Sequence, residues 1–128
     1  MRICVLGSGS TGNCTYVSAS GTHVLIDAGL TYKATVDGLR ALGAAPESLS
    51  GILLTHNHDD HSHSAGALRR KLGVDLYANE CTALAVKQNP KVKAEVERKI
   101  FENGAEFAVG SLRGEAVHVP PPCSTVRF

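Results

Sequence analysis

The feature that most constrains this chain is a cluster of histidines and aspartates placed directly after a short apolar segment. Residues 51–55 read Gly-Ile-Leu-Leu-Thr, which is typical of a buried strand, and the next six residues are His-Asn-His-Asp-Asp-His. Four of the six histidines of the chain fall between His56 and His63. Loops that follow buried strands are where binding and catalytic side chains concentrate. The pattern therefore favours a fold in which a sheet strand delivers this cluster to one edge of the sheet.

The spacing of these side chains indicates a site for two divalent metal ions. In extended backbone, His56 and His58 point to the same side and can hold one ion. Asp60 and His61 lie beyond the turn and can hold a second ion beside it, and Asp60 is also the candidate catalytic residue. Histidine together with carboxylate suits zinc, and also manganese or iron. Two such ions about 3.5–4 Å apart can share a water and lower its pKa towards neutrality.

A solvated loop with no ligand role is the alternative interpretation of the cluster. A lone His-x-His pair would favour that alternative, whereas three histidines and an aspartate within six residues favour metal binding. The cluster is not the HExxH motif, because its histidines are three apart and no helix is predicted to span 58–61. Asp59 is expected to face solvent or to support a ligand from behind, with direct metal ligation as the alternative. His63 is expected to be exposed in the first turn of a helix, with an added ligand role as the alternative.

The rest of the chain predicts one mixed α/β domain that covers residues 1–128. A strand at 2–6 and a hairpin formed by 14–18 and 22–27 come first, joined by glycine-rich turns. Strands and helices then alternate, and this order predicts a mixed sheet with helices packed on it. The remaining predicted strands are 74–78, 106–109 and 112–119, and the predicted helices are 30–42, 64–72, 82–88 and 91–99.

Composition argues against several classes of protein. No segment approaches the roughly 18 apolar residues of a membrane-spanning helix, and the glycine-rich N-terminus does not read as a signal peptide. The four cysteines form no CxxC pair, so we expect no disulfide framework and a cytoplasmic location. A net charge of +1 neither favours nor excludes nucleic acid, because a basic face can be local.

A second motif, GxGxxG at residues 7–12, directly follows the first predicted strand. A dinucleotide site requires a helix at that point, and the sequence from Asn13 onward is typical of a strand instead. We therefore disfavour a nucleotide-binding module. Two interpretations remain: a tight glycine turn between two strands, or a backbone nest near the active site that can approach an anionic substrate.

Asp27 ends a predicted strand in the run Leu-Ile-Asp-Ala-Gly. A carboxylate at such a position is costly to bury unless it has a partner. It is either a hydrogen-bond acceptor that supports the metal-binding loop from behind, or the N-terminal cap of the following helix.

The His-x-His-x-Asp-His pattern after a short apolar strand resembles the signature of the metallo-β-lactamase superfamily. Residues 6–13 and the Leu-Ile-Asp-Ala-Gly run narrow the resemblance to a branch described as YycJ- or WalJ-like, whose members act on nucleic acids or other phosphodiesters. The resemblance implies an αββα sandwich with the metal site at one sheet edge. Asp27 matches the family's first-motif aspartate, which favours its supporting role. The ligand assignment that the resemblance implies is His56 and His58 on one metal, and Asp60 and His61 on the other.

The C-terminal part departs from the pattern of this branch. The family's Val-Pro-His-Asp-Ala run, whose histidine completes the first metal's ligands, corresponds here to Val-Pro-Pro-Pro-Cys, with Pro121 in place of the histidine. His118, three residues upstream, is a candidate substitute, or else a strand residue that faces away from the site. Three family ligand positions are therefore unmatched, and the resemblance implies only the first half of the sandwich. A fragment, a disrupted reading frame or one half of a homodimer would each give this pattern.

Three functions follow from the sequence. The first is a metal-dependent hydrolase with two divalent ions as cofactors, acting on phosphodiesters such as DNA or RNA through a metal-activated water. Its substrate rests on the resemblance alone. The second is a non-catalytic remnant that binds metal weakly or not at all. The third is a thioester, lactam or other ester hydrolase of the same fold.

Overall fold

The structure is a computed structural model that describes residues 1–96 and 104–117 with their side chains, and residues 98–99, 118–119 and 125–127 as backbone. Within these residues, six strands form the main sheet, in the order in which they occur along the chain. The first three pair antiparallel, and the third to the sixth pair parallel. These strands are β1 Arg2–Gly7, β2 Cys14–Ala19, β3 Thr22–Ile26, β4 Gly51–Leu53, β5 Leu76–Ala78 and β6 Arg98–Lys99.

The helices begin and end at residues that the sequence marks as caps. Thr31 Oγ1 accepts a hydrogen bond from Ala34 N at the start of the first long helix, and Asn79 Oδ1 accepts one from Thr82 N at the start of the last. Gly73, in the left-handed region at φ 68°, ends the third. These helices are α1 Tyr32–Ala41, α2 Asp59–Ser62, α3 Ala65–Leu72 and α4 Glu80–Gln88, with a 3-10 turn at Pro46–Ser48.

The core lies between the helices and one face of the sheet. Leu25, Ile52 and Leu76 are 0% exposed on that face, against Leu39 of α1 and Leu68 of α3. The alternate residues of the same strands lie in a smaller apolar cluster on the opposite face, under a hairpin formed by β7 Glu106–Val109 and β8 Leu112–Glu115. The mixed α/β architecture predicted from the sequence is confirmed. No helix in the described part of the chain is long and apolar enough to cross a membrane.

Two sequence predictions about regular structure were wrong. The predicted helix at 91–99 is not helical in the described residues, and its end forms β6. Val92, Ala94 and Val96 are buried at alternate positions, which is an extended pattern, and Lys93 has φ 46°. The predicted strand at 112–119 is two strands, because β8 ends at Glu115 and β9 Val117–Val119 pairs with β10 Thr125–Arg127.

The outer strand of the main sheet leaves apolar side chains uncovered among the described residues. β1 lies at one end of the strand order and pairs with β2 alone. Ile3 and Val5 alternate with the half-buried Cys4 and are 62% and 65% exposed. This face of β1 is therefore a stripe of exposed apolar surface at the sheet edge.

Candidate functional site

The predicted site residues come together because β3 and β4 are parallel neighbours. Ile26 pairs with Leu53, so the segments that follow the two strands leave the sheet at the same edge. Asp27 begins one of these segments, and its backbone N–H donates to Leu53 O at 2.8 Å. The other segment carries the histidine cluster. Carboxyl ends of parallel strands are the usual place for binding sites in such sheets.

The histidine cluster contains one short turn of helix, which the sequence did not predict. α2 begins after His58, whose carbonyl oxygen accepts from His61 N at 2.9 Å and Ser62 N at 3.0 Å. The buried Ser62 hydroxyl also donates to Asn57 O and His58 O. Ser62 thus closes a short turn that helix propensity alone does not favour. His58 is the cap of this turn and has extended backbone, so the helix does not include both His58 and His61.

Asp27 is the buried acceptor at the centre of the site. Its side chain is almost fully enclosed, and its backbone has φ 64°, a conformation that few residues other than glycine adopt. Oδ1 accepts from Thr55 N at 2.8 Å, while Oδ2 accepts from Thr55 Oγ1 at 2.7 Å and from His61 Nδ1 at 2.7 Å. The cap of α1 is Thr31 rather than Asp27. Asp27 thus lies behind the histidine cluster and is hydrogen-bonded to it.

These hydrogen bonds fix which ring nitrogens carry protons. The single proton of the Thr55 hydroxyl goes to Asp27, so Thr55 Oγ1 accepts from His56 Nδ1 at 2.9 Å. His61 likewise uses Nδ1 to donate to Asp27. In the neutral rings of His56 and His61, the lone pair is therefore on Nε2, which is the arrangement that a metal-binding histidine needs.

The surroundings of the two rings shift their pKa values in opposite directions. The hydrogen bond to Asp27 raises the pKa of His61, and burial opposes this shift. Burial lowers the pKa of His56, and the neighbouring His61 lowers it further. His56 is therefore held in the neutral form that can bind a metal ion.

The candidate ligands are arranged in close pairs. His61 Nε2 lies 3.5 Å from Asp60 Oδ2. The ring centroids of His56 and His61 are 3.9 Å apart, and those of His56 and His58 are 4.7 Å apart. Among the described side chains, no three His, Cys, Asp or Glu residues converge on one ion position. Imidazole and carboxylate are donors that suit divalent ions, but each pair supplies only two of them, so further ligands would have to be added.

Three other predicted positions lie differently with respect to the site. His118 is in β9, where its backbone pairs with Val126, but its side chain and all of Pro121 lie outside the described residues. Asp59 is exposed at the start of α2, where it contacts Lys91 Nζ at 3.6 Å and Asn89 Nδ2 at 3.3 Å. His63, after the last residue of α2, is exposed.

Asn13 and Gly29 are site residues that sequence reasoning missed. Asn13 N donates to Asp60 O at 2.7 Å, and Gly29 N donates to Asn13 O at 2.9 Å. A side chain at Gly29 would overlap the carbonyl group of Asp60, so glycine is required by this close approach. Three separate segments therefore meet through backbone contacts at the histidine cluster. In the sequence, the glycine directly after Asp27-Ala28 was the available signal of this close approach.

A cleft of about 220 Å³ opens beside Asp60. The glycine-rich loop forms one wall and α2 the other, with the N-terminal cap of α1 between them. Because β2 follows the loop directly, the arrangement lacks the helix that a dinucleotide site would place there. The side chains that line the cleft are Ser10, Thr11, Thr31, Asp59, Asp60 and His63.

Cys14 lies beside this network but does not supply a nucleophile. The side chain is 1% exposed, and burial raises the pKa of the thiol to about 12, with a smaller contribution from Asp27. At neutral pH it is a protonated, enclosed thiol. The chemistry of the site therefore rests on the imidazole and carboxylate groups.

Comparison with known proteins identifies related families and folds. The family model described as "Metallo-beta-lactamase superfamily" matches residues 7–126. The exodeoxyribonuclease WalJ of Streptococcus pneumoniae is 42% identical over 118 residues, which are 90% of this chain and 44% of that protein. The exodeoxyribonuclease YycJ of Bacillus anthracis is 44% identical over 82 residues, which are 64% of this chain and 31% of that protein.

The fold is also that of solved structures. The subclass B3 metallo-beta-lactamase BJP-1 of Bradyrhizobium japonicum matches with a TM-score of 0.81 over 96% of this chain and 52% of its own. At 20% identity this likeness concerns the fold alone. The chain spans less than half the length of the two nucleases and about half of this structure. The expectation that the chain corresponds to the first half of the sandwich is confirmed.

Proposed function

Because the chain belongs to the metallo-beta-lactamase superfamily, we propose that it carries the histidine–aspartate part of a metal-dependent phosphodiesterase site of the nuclease type. The observation that carries the proposal is the contact of buried Asp27 with His61, at 2.7 Å, directly behind the cluster. A carboxylate that orients a histidine from behind is characteristic of metal sites. A surface loop without a ligand role has no need of such a costly buried group.

Four side chains would hold divalent ions in this proposal, and Asp60 is also the candidate catalytic residue. Such ions supply a Lewis acid and a water of lowered pKa. Asp27 and Thr55 orient the two rings that they contact, and burial keeps His56 neutral. The proposed ligands are His56, His58, Asp60 and His61.

Phosphodiesters of DNA are the proposed substrate class. The support is the 42% identity to an exodeoxyribonuclease over 90% of this chain, together with the cleft beside Asp60. In the part of the chain that the structure describes, the cleft lining carries two carboxylates and no lysine or arginine. A polyanion that enters it therefore needs positive charge from bound metal and from the rim, where Lys91 Nζ lies 3.6 Å from Asp59.

The first test is metal content together with hydrolysis. We expect purified chain offered zinc or manganese to retain metal by elemental analysis, and His58→Ala to lose most of it. His63→Ala, a matched substitution of an exposed histidine nearby, is expected to keep the wild-type metal content. In the loaded chain, we expect cleavage of a labelled single-stranded DNA and no cleavage of a thioester.

The outcomes of this test separate the candidate functions. Equal metal content in wild type and His58→Ala would contradict the proposed ligands. Weak or absent metal binding by the wild-type chain would favour the non-catalytic alternative, to which the pairwise arrangement of ligands also points. Cleavage of the thioester but not of DNA would favour the ester-hydrolase alternative.

Lys91 is expected to contribute to binding of a DNA strand. Lys91→Ala should weaken binding of single-stranded DNA about three- to tenfold at low salt and reduce the slope of log K against log salt by about 0.7, the value for one phosphate contact. Fluorescence anisotropy at several salt concentrations measures both. The control is Lys87→Ala. Lys87 is also exposed, its Nζ lies 3.1 Å from Glu95, and it is not among the residues that line the cleft. Equal losses in the two variants would assign the effect to net charge alone.

A further inference from the structure

The side-chain amide of Asn13 joins the glycine-rich loop to the proposed metal ligands. Asn13 Nδ2 lies 2.8 Å from Gly9 O, and Gly9 N donates back to Asn13 Oδ1 at 3.1 Å. The same nitrogen is 3.2 Å from three atoms of the α2 turn, namely Asp60 O, Asp60 Oδ2 and His61 Nε2. One amide thus contacts both candidate ligands of the second ion.

The protons of this amide can be assigned to their acceptors. An amide nitrogen carries two protons. The shortest contact, to Gly9 O, takes one, and the three atoms of Asp60 and His61 share the other at equal distances. In the neutral ring, His61 can accept at Nε2 because its single proton is on Nδ1 and goes to Asp27.

We propose that Asn13 is a positioning residue, whose amide holds the Asp60 carboxylate and the His61 Nε2 lone pair side by side for a shared cation. This inference rests on the proposed function, because it concerns the same pair of ligands. Two lone-pair atoms 3.5 Å apart repel each other unless positive charge lies near both. The Asn13 N–H group provides it, at 3.2 Å from each.

The amide can keep this role when a cation is bound. A cation would take the lone pairs of Asp60 Oδ2 and His61 Nε2, but both amide protons would still have acceptors in Gly9 O and Asp60 O. The backbone bond from Asn13 N to Asp60 O is also independent of these lone pairs. Asn13 therefore holds the α2 turn in both states, so its removal should weaken cation binding rather than strengthen it.

A plainer role for Asn13 is closure of the glycine-rich loop. The two bonds between Asn13 and Gly9 would suffice for that role, as in turns that asparagine commonly stabilises. The two roles differ in what they predict for His61, which loop closure alone does not involve. A test must therefore include a signal from the His61 ring itself.

The test compares Asn13→Ala and Asn13→Asp with the control Asn57→Ala. Asn57 lies in the loop of the histidine cluster, and among the described residues its side chain makes no contact with the proposed ligands. Manganese affinity is measured by calorimetric titration, and the His61 Nε2 resonance by ¹⁵N NMR of each metal-free variant. We expect Asn13→Ala to weaken the affinity about three- to tenfold, the size of one net hydrogen bond. In Asn13→Ala, the His61 Nε2 resonance should move towards that of a nitrogen that accepts no hydrogen bond. Asn57→Ala should match wild type in manganese affinity and in this resonance.

Asn13→Asp keeps the shape of the side chain and its acceptor for Gly9 N, but has no amide protons. Its added charge attracts cations, so the NMR signal is the informative readout for this variant. We expect the His61 resonance to shift as in Asn13→Ala, and this variant also serves if Asn13→Ala does not fold.

An unshifted resonance, or an affinity that rises in Asn13→Ala, overturns the positioning role. Absence of manganese binding by the wild-type chain counts against the proposed function, while the resonance of metal-free chain still supports or overturns the contact with His61.

Discussion

Replacement of Gly29 by alanine is expected to destabilise the native fold strongly. The added methyl carbon would overlap the carbonyl group of Asp60 and lie 2.6 Å from the backbone nitrogen of Asn13. Neither atom can move away independently, because Asn13 N donates to Asp60 O and Gly29 N donates to Asn13 O. We expect a loss of more than about 4 kcal/mol, a large part of the roughly 5–15 kcal/mol that stabilises a typical domain. Urea denaturation followed by circular dichroism measures it.

Gly38→Ala provides the matched control for this substitution. Gly38 lies inside α1, and its added carbon would meet only the flexible Leu6 side chain, at 3.3 Å. Alanine is favoured over glycine in helices by about 0.5–1 kcal/mol, so this variant should be as stable as wild type or slightly more stable. A Gly29→Ala chain with the wild-type urea midpoint would show that the three segments do not pack as closely as described.

Asp27→Asn is expected to weaken zinc or manganese binding about 10- to 100-fold, the usual cost of removing a group that orients a metal ligand. Asparagine suits this position as a test because it tolerates the left-handed conformation at φ 64°, so backbone strain is not added. It has a single side-chain oxygen, whereas Asp27 accepts from three donors through two oxygens. The amide protons would therefore face Thr55 or His61, and the ring of His61 would lose its fixed orientation.

Metal titration of the two single variants Asp27→Asn and Asp59→Asn, compared side by side, separates the loss of His61 orientation from the loss of negative charge. Each substitution removes one negative charge, but the side chain of Asp59 is 57% exposed and contacts Lys91 and Asn89 instead of a histidine. We expect Asp59→Asn to change the affinity less than about threefold, as for other exposed ion pairs. Equal losses in the two variants would mean that general electrostatic attraction, and not the orientation of His61, sets the affinity.

Strands β1 to β5 and the long helices were predictable because local signals mark where several of them begin or end. Gly21 ends the first hairpin turn, Thr31 and Asn79 cap two helices, and Gly73 ends a third. The prediction of a helix at 91–99 was wrong because packing outweighed the local helix propensity. The lysines and glutamates of this segment have adequate helix propensity, but alternate burial of Val92, Ala94 and Val96 against the core outweighs it.

The candidate site was predictable in composition but not in its hydrogen bonding. The pattern of histidines identified the cluster, since metal-binding residue types at that spacing have few other uses. Of the two interpretations of Asp27, the helix cap is excluded because Thr31 caps α1. Its contact with His61 joins residues 34 positions apart in the sequence, which no local pattern could show. Asn13 reaches Asp60 across 47 residues, and no local pattern encodes a contact of that kind.

The apolar stripe of β1 has a practical bearing on all of these measurements. Ile3 and Val5 project from a sheet edge that can accept another strand, which is the surface chemistry of aggregation. The concentrations that calorimetry and NMR require are those at which such surfaces make chains adhere to one another. Light scattering across a dilution series will therefore be needed to separate the binding properties of a dispersed chain from those of its clusters.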